Sequence, residues 1–262
     1  MKIITIGTLK GGTGKTSTIF NLAGILAEDY KILLIDCDPQ TNLSLNCGVD
    51  ITAKNLGTIK DVFDNSISAS EIIFRNPIKD LHNMDIIPSS IKLAGTEMQI
   101  ISRAGRENIL KNFLKDNDNV LRHYDYILID TNPSMGIINQ NAFFASDSIV
   151  LVSDVSLNGI QGAELFIALW SEICKNLRKT ENVKALILNN FDKRIKLSAE
   201  MVEYCKENET IKDIVLDYVI PSSVKVKNTE IEHKTINHLY KNSKIHVAYK
   251  NIVNELKNKG VL

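Results

Sequence analysis

The residues best suited to chemistry open the chain: Lys10-Gly11-Gly12-Thr13-Gly14-Lys15-Thr16-Ser17 lies between a short apolar run and a segment of helical period. Glycines in a tight turn aim successive backbone N–H groups into one concavity. The following helix N-terminus adds partial positive charge, and together they hold polyanionic phosphate. In such a loop the Lys15 ammonium reaches the β- and γ-phosphates of ATP and the Thr16 hydroxyl ligands Mg²⁺. Gly11, Gly12, Thr13, Gly14 and Ser17 complete the expected nucleotide contacts. The strict phosphate-loop spacing asks for a glycine five residues before Gly14. Leu9 stands there instead, and Lys10 places a second cation directly before the glycine pair. A glycine-rich turn with solvated lysines is the bland reading, and the strand–loop–helix setting argues against it.

Three acids follow at the ends of apolar runs. One run closes on Asp36-Cys37-Asp38-Pro39-Gln40 and another, Tyr126-Ile127-Leu128-Ile129, closes on Asp130. Two carboxylates one residue apart at a strand end are costly to bury without a cation or a water to hold. An acidic helix cap is the alternative. An apolar strand ending in an acid is the form that holds Mg²⁺ through water beside a phosphate loop, which assigns that role to Asp130.

These groups need a scaffold. Ile-, Val- and Leu-rich runs at 3–6, 32–35, 86–87, 127–129, 149–152, 185–188 and 214–220 show little polar alternation, as strands do when both faces are covered. Helix-period segments separate them at 16–27, 93–114 with a break near Ala104-Gly105, 160–177 and 245–256, while 50–83 is the least periodic stretch and suits short helices. The β–α alternation predicts an α/β fold, a mostly parallel twisted sheet of about seven to eight strands with helices on both faces. It forms one domain over 1–262, with ligands at the carboxyl ends of the strands.

The 262 residues carry zero formal net charge and 44% apolar side chains. That excludes a globally basic nucleic-acid binder, so any such contact must come from a local patch. Cys37, Cys47, Cys174 and Cys205 contain no C-x-x-C pair. Buried free thiols are therefore expected, not a zinc site, a disulfide framework or an iron–sulfur cluster. The N-terminal apolar run is too short for a signal core and no run is long enough to cross a membrane. A cytoplasmic protein is expected.

The form K-G-G-x-G-K-T at 10–16, with D-x-D-P-Q at 36–40 and the acid-terminated strand at Asp130, resembles the deviant phosphate-loop (ParA/MinD) superfamily, and within it the ParA/Soj-type DNA-partition ATPases. The resemblance covers nearly the whole chain. Ile87-Pro88-Ser89 through Leu93-Ala94-Gly95 looks like the family's IPA-x-x-x-LAG segment. Asn141-Ala142 and Ala145-Ser146-Asp147 resemble the helix after the acid strand, Gly162 matches a family glycine, and Val219-Ile220-Pro221 with residues 230–236 resembles the C-terminal motif. It implies a P-loop NTPase-like fold and slow, Mg-dependent, partner-stimulated ATP hydrolysis. It implies that Lys10 crosses an ATP-dependent homodimer interface to the partner's nucleotide, with Lys10, Lys15 and Asp38 catalytic. Asp38 orients the attacking water, Asp36 lies near the Mg²⁺ shell with Thr16 and Asp130, and Pro221 contacts the base.

Departures from the family pattern are local. Asn132 replaces the first of two prolines after Asp130, Ser222 and Lys225 replace two arginines, and Val152-Ser153-Asp154 stands where the family shows P-V-Q. The chain opens on the first strand, so no operator-binding helix-turn-helix module is expected.

From Ser222 onward there are eight lysines against three glutamates, a net of +5. A basic face on a neutral protein suits sequence-independent phosphate contact, although a solvated lysine surface has the same composition. With the resemblance, Lys193, Arg194, Lys225, Lys227, Lys244 and Lys250 become the candidate DNA contacts. The implied partners are non-specific DNA, a ParB-type centromere-binding protein and a second copy, on the nucleoid and not on a membrane. The alternative is a MinD-like membrane-surface ATPase, which needs a basic amphipathic tip that the final helix lacks. A tyrosine kinase on the same loop would need a tyrosine cluster, and Tyr240 and Tyr249 are isolated.

Overall fold

The computed structural model describes residues 1–64, 67–79 and 81–262. Positions 65, 66 and 80 of the aperiodic stretch lie outside them. Six strands, β1 (Lys2–Gly7), β2 (Ile32–Asp36), β3 (Met84–Ile87), β4 (Tyr126–Asp130), β5 (Ser148–Asp154) and β6 (Val183–Asn189), form one sheet in the order β3-β2-β4-β1-β5-β6, every pair parallel. The helices are α1 (Lys15–Leu26), α2 (Asn42–Asn46), α3 (Ile59–Asp64), α4 (Ala69–Ile72), α5 (Leu93–Ile100), α6 (Ile109–Asp116), α7 (Asp118–Leu121), α8 (Ile137–Ala145), α9 (Leu157–Leu177), α10 (Lys196–Glu207), α11 (Val224–Ile231), α12 (Ile236–Leu239) and α13 (Lys244–Asn258).

The unbroken apolar runs have a simple cause. Ile32, Leu34, Leu128, Val150 and Ile187 face one core with α1, α12 and α13. The alternate residues Leu33, Ile35, Ile127 and Ile129 face a second core under α3, α5, α6 and α8, and Ile149, Leu151, Leu186 and Leu188 face a third with α8 and α9. Side chains alternate between faces, and both faces are apolar, so no alternation survives in the sequence. Truncating one of these aliphatic side chains to alanine is expected to cost about 2–5 kcal/mol.

The sheet is smaller than the seven to eight strands expected. The run at 214–220 lies beside β6 but makes only isolated bridges, Leu186 with Val215 and Phe191 with Pro221. Between the bridges the N–H groups of Asp217 and Tyr218 donate to the Glu255 carboxylate of α13, at 2.7 and 3.1 Å. A side chain thus takes the donors that a ladder would use. The break near Gly105 is present as a 3₁₀ turn at Arg106–Asn108.

The register fixes the site. Ile6 pairs with Asp130 and Asp36 pairs with Asp130, so β1, β2 and β4 end level with one another. The phosphate loop and all three acids therefore meet above the carboxyl ends of three adjacent central strands.

Candidate functional site

The loop runs from the end of β1 to α1. Thr8 Oγ1 accepts the Lys10 N–H at 3.2 Å and starts the turn. Gly14 has φ +81°, and a Cβ there would lie 2.2 Å from Asn189 Nδ2, which donates to the Thr13 carbonyl at 2.7 Å. Only glycine fits both the backbone and that contact. α1 takes its first backbone bond at Thr18, whose N–H donates to Gly14 O at 2.9 Å. Among the described residues no protein acceptor takes the N–H groups of 11–17. The helix has neither a side-chain cap nor an acid in its first turn. The Thr13 hydroxyl is buried without a partner. Orphan donors converging at an uncapped helix N-terminus are what a phosphate chain satisfies. They line a cavity of about 420 Å³ together with Lys10, Lys15, Thr16, Ser17, Asp38, Gln40, Asn42, Asn46, Pro133 and Glu230.

The two lysines of the loop are already paired. Lys15 Nζ lies 2.7 Å from Asp130 Oδ1, with side chains 6% and 0% exposed. Thr16 Oγ1 donates to the other oxygen of Asp130 at 2.7 Å. The lysine, the hydroxyl and the acid assigned to phosphate and Mg²⁺ therefore hold one another. Lys10 turns to its own chain, with Nζ 3.0 and 2.8 Å from the two oxygens of Asp154 and 3.1 Å from Ser156 Oγ.

The acids separate in role. Asp38 lines the cavity. Burial raises its carboxyl above the usual range, against the pull of the Gln40 N–H and of Lys15. Asp36 sits behind it, fully buried and absent from the cavity wall. Its Oδ1 accepts the Asp38 N–H at 3.0 Å, and its Oδ2 accepts the Ser44 N–H and hydroxyl at 2.9 and 2.7 Å. Burial, then the neighbouring Asp130 charge, pushes it up to about 7. Asp36, expected near the Mg²⁺ shell, thus stands one layer behind the cavity wall. This side chain shapes the turn that carries Asp38. Asn132 has a similar task, accepting from Asn139 Nδ2 at 2.8 Å and from the Ser134 hydroxyl at 2.5 Å in the turn after β4.

Pro221 does not line the phosphate cavity. It lines a separate one of about 780 Å³ with Phe191, Lys193, Arg194, Lys225, Ser243 and Lys244. Four of the six candidate DNA contacts thus surround one concavity, beside the N-terminus of α13. Lys227 and Lys250 are exposed outside it. Arg194 is held by Asp192, Nε to Oδ1 at 2.9 Å and Nη2 to Oδ2 at 2.6 Å, which drops the Asp192 carboxyl to about 2. Lys225 lies over the Tyr240 ring at 4.9 Å.

Sequence reasoning missed Asp154, Asn189 and Glu230 as parts of this site. Asp154 stands at a departure from the family pattern, and Glu230 inside the C-terminal motif, but neither had a local pattern naming its partner.

A family model described as an AAA domain matches residues 1–184. The sporulation initiation inhibitor protein Soj of Bacillus subtilis is 32% identical over 236 residues, 90% of each chain. The chromosome-partitioning ATPase Soj of Treponema pallidum is 30% identical, covering 86% of this chain and 85% of its own. Among solved structures, apo McdA of Cyanothece superposes with a TM-score of 0.85 at 22% identity, over 99% of both chains, a likeness of fold.

Proposed function

The chain belongs to the ParA/Soj-type family of partition ATPases, and from that premise we propose that it uses Mg-ATP to close a homodimer on non-specific DNA and leaves the DNA on hydrolysis. The observation that carries the reading is the row of unpartnered amides at 11–17 around Lys15, with Lys10 on the same cavity wall.

In this reading the phosphates take the loop amides, and Lys15 exchanges Asp130 for phosphate oxygen. The freed Asp130 and the Thr16 hydroxyl face the metal. Mg²⁺ held by these two groups would supply positive charge against that of the phosphates. Asp38 holds a water at its carboxylate, and the burial that raises its basicity also suits it to accept the proton. Lys10 leaves Asp154 for the γ-phosphate of the facing subunit. A cation supplied only on dimer closure ties hydrolysis to assembly.

DNA is assigned to the concavity of Lys193, Arg194, Lys225 and Lys244, where the 15-residue α13 presents its N-terminus. No aromatic row lies among the candidate DNA contacts, so the contact is to backbone phosphate and not to base sequence. Dimerisation doubles the patch. A ParB-type partner stimulates hydrolysis, and the protein works in the cytoplasm on the nucleoid. The membrane alternative is not favoured, because α13 buries Ile245, Tyr249, Ile252, Val253 and Leu256 in the core. No helix of the described residues is long and apolar enough to cross a membrane.

The test is fluorescence anisotropy of a random-sequence duplex with Mg-ATP, Mg-ADP or no nucleotide. Binding with ATP alone is expected. ATP hydrolysis without DNA binding in any state would overturn the DNA reading.

A further inference from the structure

Glu230 is, beside Asp38, the second acid on the wall of a cavity whose loop amides and lysines suit a polyanion. It sits on α11 and accepts a hydrogen bond from the Ser17 hydroxyl in the first turn of α1. Its position is fixed from behind. Asn21, fully buried in α1, accepts the Ile236 N–H at 2.7 Å and reaches Thr229 Oγ1 at 3.4 Å, one residue before Glu230. Gly24 lets the same segment close in, since a Cβ there would stand 2.4 Å from the Thr235 Cβ. The carboxylate is therefore held over the loop by packing, with a set direction.

Like charges repel, so this carboxylate cannot usefully face the phosphate chain that the neighbouring amides and Lys15 attract. It must meet the part of the ligand that carries hydrogen-bond donors and no charge. The sugar is bonded directly to the phosphates and so lies nearest the loop. Its 2′- and 3′-hydroxyls are donors for which a fixed, partly buried acceptor is selective. Resting on the ATP reading above, we propose that Glu230 reads the ribose hydroxyls of the bound nucleotide, with Ser17 orienting its carboxylate, and so makes the site selective for ribonucleotides.

The experiment is calorimetric binding of ATP, 2′-deoxyATP, 3′-deoxyATP and inorganic tripolyphosphate, with Mg²⁺, to the full chain and to Glu230→Ala and Glu230→Gln. The wild-type chain is expected to prefer ATP over at least one deoxy analogue by about ten-fold, the worth of one hydrogen bond to a charged group. Glu230→Ala should abolish that preference by weakening ATP and leaving the disfavoured deoxy analogue unchanged. Glu230→Gln, which keeps an acceptor, should retain part of it. Tripolyphosphate should bind both variants no more weakly than wild type. Equal wild-type affinity for ATP and both deoxy analogues would overturn the inference while leaving the nucleotide site in place. So would equal weakening of ATP and of both deoxy forms by Glu230→Ala. No wild-type binding of ATP or tripolyphosphate would overturn the ATP reading, and this inference with it.

Discussion

Lys15→Met tests whether the resting phosphate loop is an ion pair waiting to exchange. Asp130 has no exposed surface, and its side-chain partners are Lys15 and the Thr16 hydroxyl, both at 2.7 Å. It ends β4 beside Asp36, so removing the lysine leaves a buried carboxylate with one hydroxyl donor and a second acid as neighbour. Breaking a buried pair in this way costs about 3–5 kcal/mol. In a domain of this size 1 kcal/mol moves Tm by about 2–4 °C, so the expected drop is roughly 6–20 °C. The partner substitution should be milder. In Asp130→Asn the Lys15 side chain can swing into the cavity and meet water, whereas Asp130 in Lys15→Met is fixed at a strand end. The double variant Lys15→Met/Asp130→Asn removes both charges and should recover to within about 1 kcal/mol of wild type. ATP at one hundred times its Kd should stabilise the wild-type chain by about 2.7 kcal/mol and leave the single Lys15→Met and double variants unmoved. Thermal unfolding followed by circular dichroism, with and without Mg-ATP, reads all of this. A Lys15→Met chain that melts within two degrees or so of wild type, or a double variant as unstable as the single, would refute the exchange argument.

The other predictions concern the dimer, the DNA face and pH. Asp154→Asn frees Lys10 from a partly exposed pair worth about 0.2–1 kcal/mol, so ATP-driven dimerisation in sedimentation velocity should strengthen by up to about five-fold. Lys10→Ala should bind ATP and stay monomeric, and a dimer in that variant would remove Lys10 from the interface. Lys225→Ala and Lys244→Ala should each weaken duplex binding at every sequence and lower the salt slope of log K by about one; an unchanged slope would place the DNA elsewhere. His246 is buried, with Glu28, Lys250 and Lys241 as the charges acting on it. Burial holds its pKa below the ordinary 6.5. A lowered histidine pKa stabilises the fold above the unfolded value and loses that contribution as pH falls through the folded one. Urea midpoints should therefore fall from pH 7.5 to pH 5 (roughly the span on either side of an ordinary histidine) in wild type and fall less in His246→Gln.

What the sequence disclosed and what it hid divide along a physical line. The phosphate loop and the strands ending in Asp36 and Asp130 were legible because glycine turns, apolar runs and strand ends are encoded within a few residues. The seventh apolar run was misleading because its fate was decided by Glu255, 38 residues downstream of Asp217. The inward turn of Asp36 depended on Ser44, across a loop with no period. The charges on the loop show this most plainly. Lys15 is neutralised by Asp130, 115 residues away, and Lys10 by Asp154, 144 residues away, while Ser17 is bound to Glu230 across 213 residues. Spacing can name a phosphate loop, but it cannot reveal the pairs that hold that loop at rest. Those pairs set the energetics. On the proposed function, nucleotide affinity is the favourable free energy of the loop holding phosphate less that of the Lys15–Asp130 pair it releases, and dimer affinity likewise subtracts Lys10–Asp154. A substitution at Asp154 should therefore shift dimer affinity without touching the ligand, a consequence that follows from the fold and from no motif.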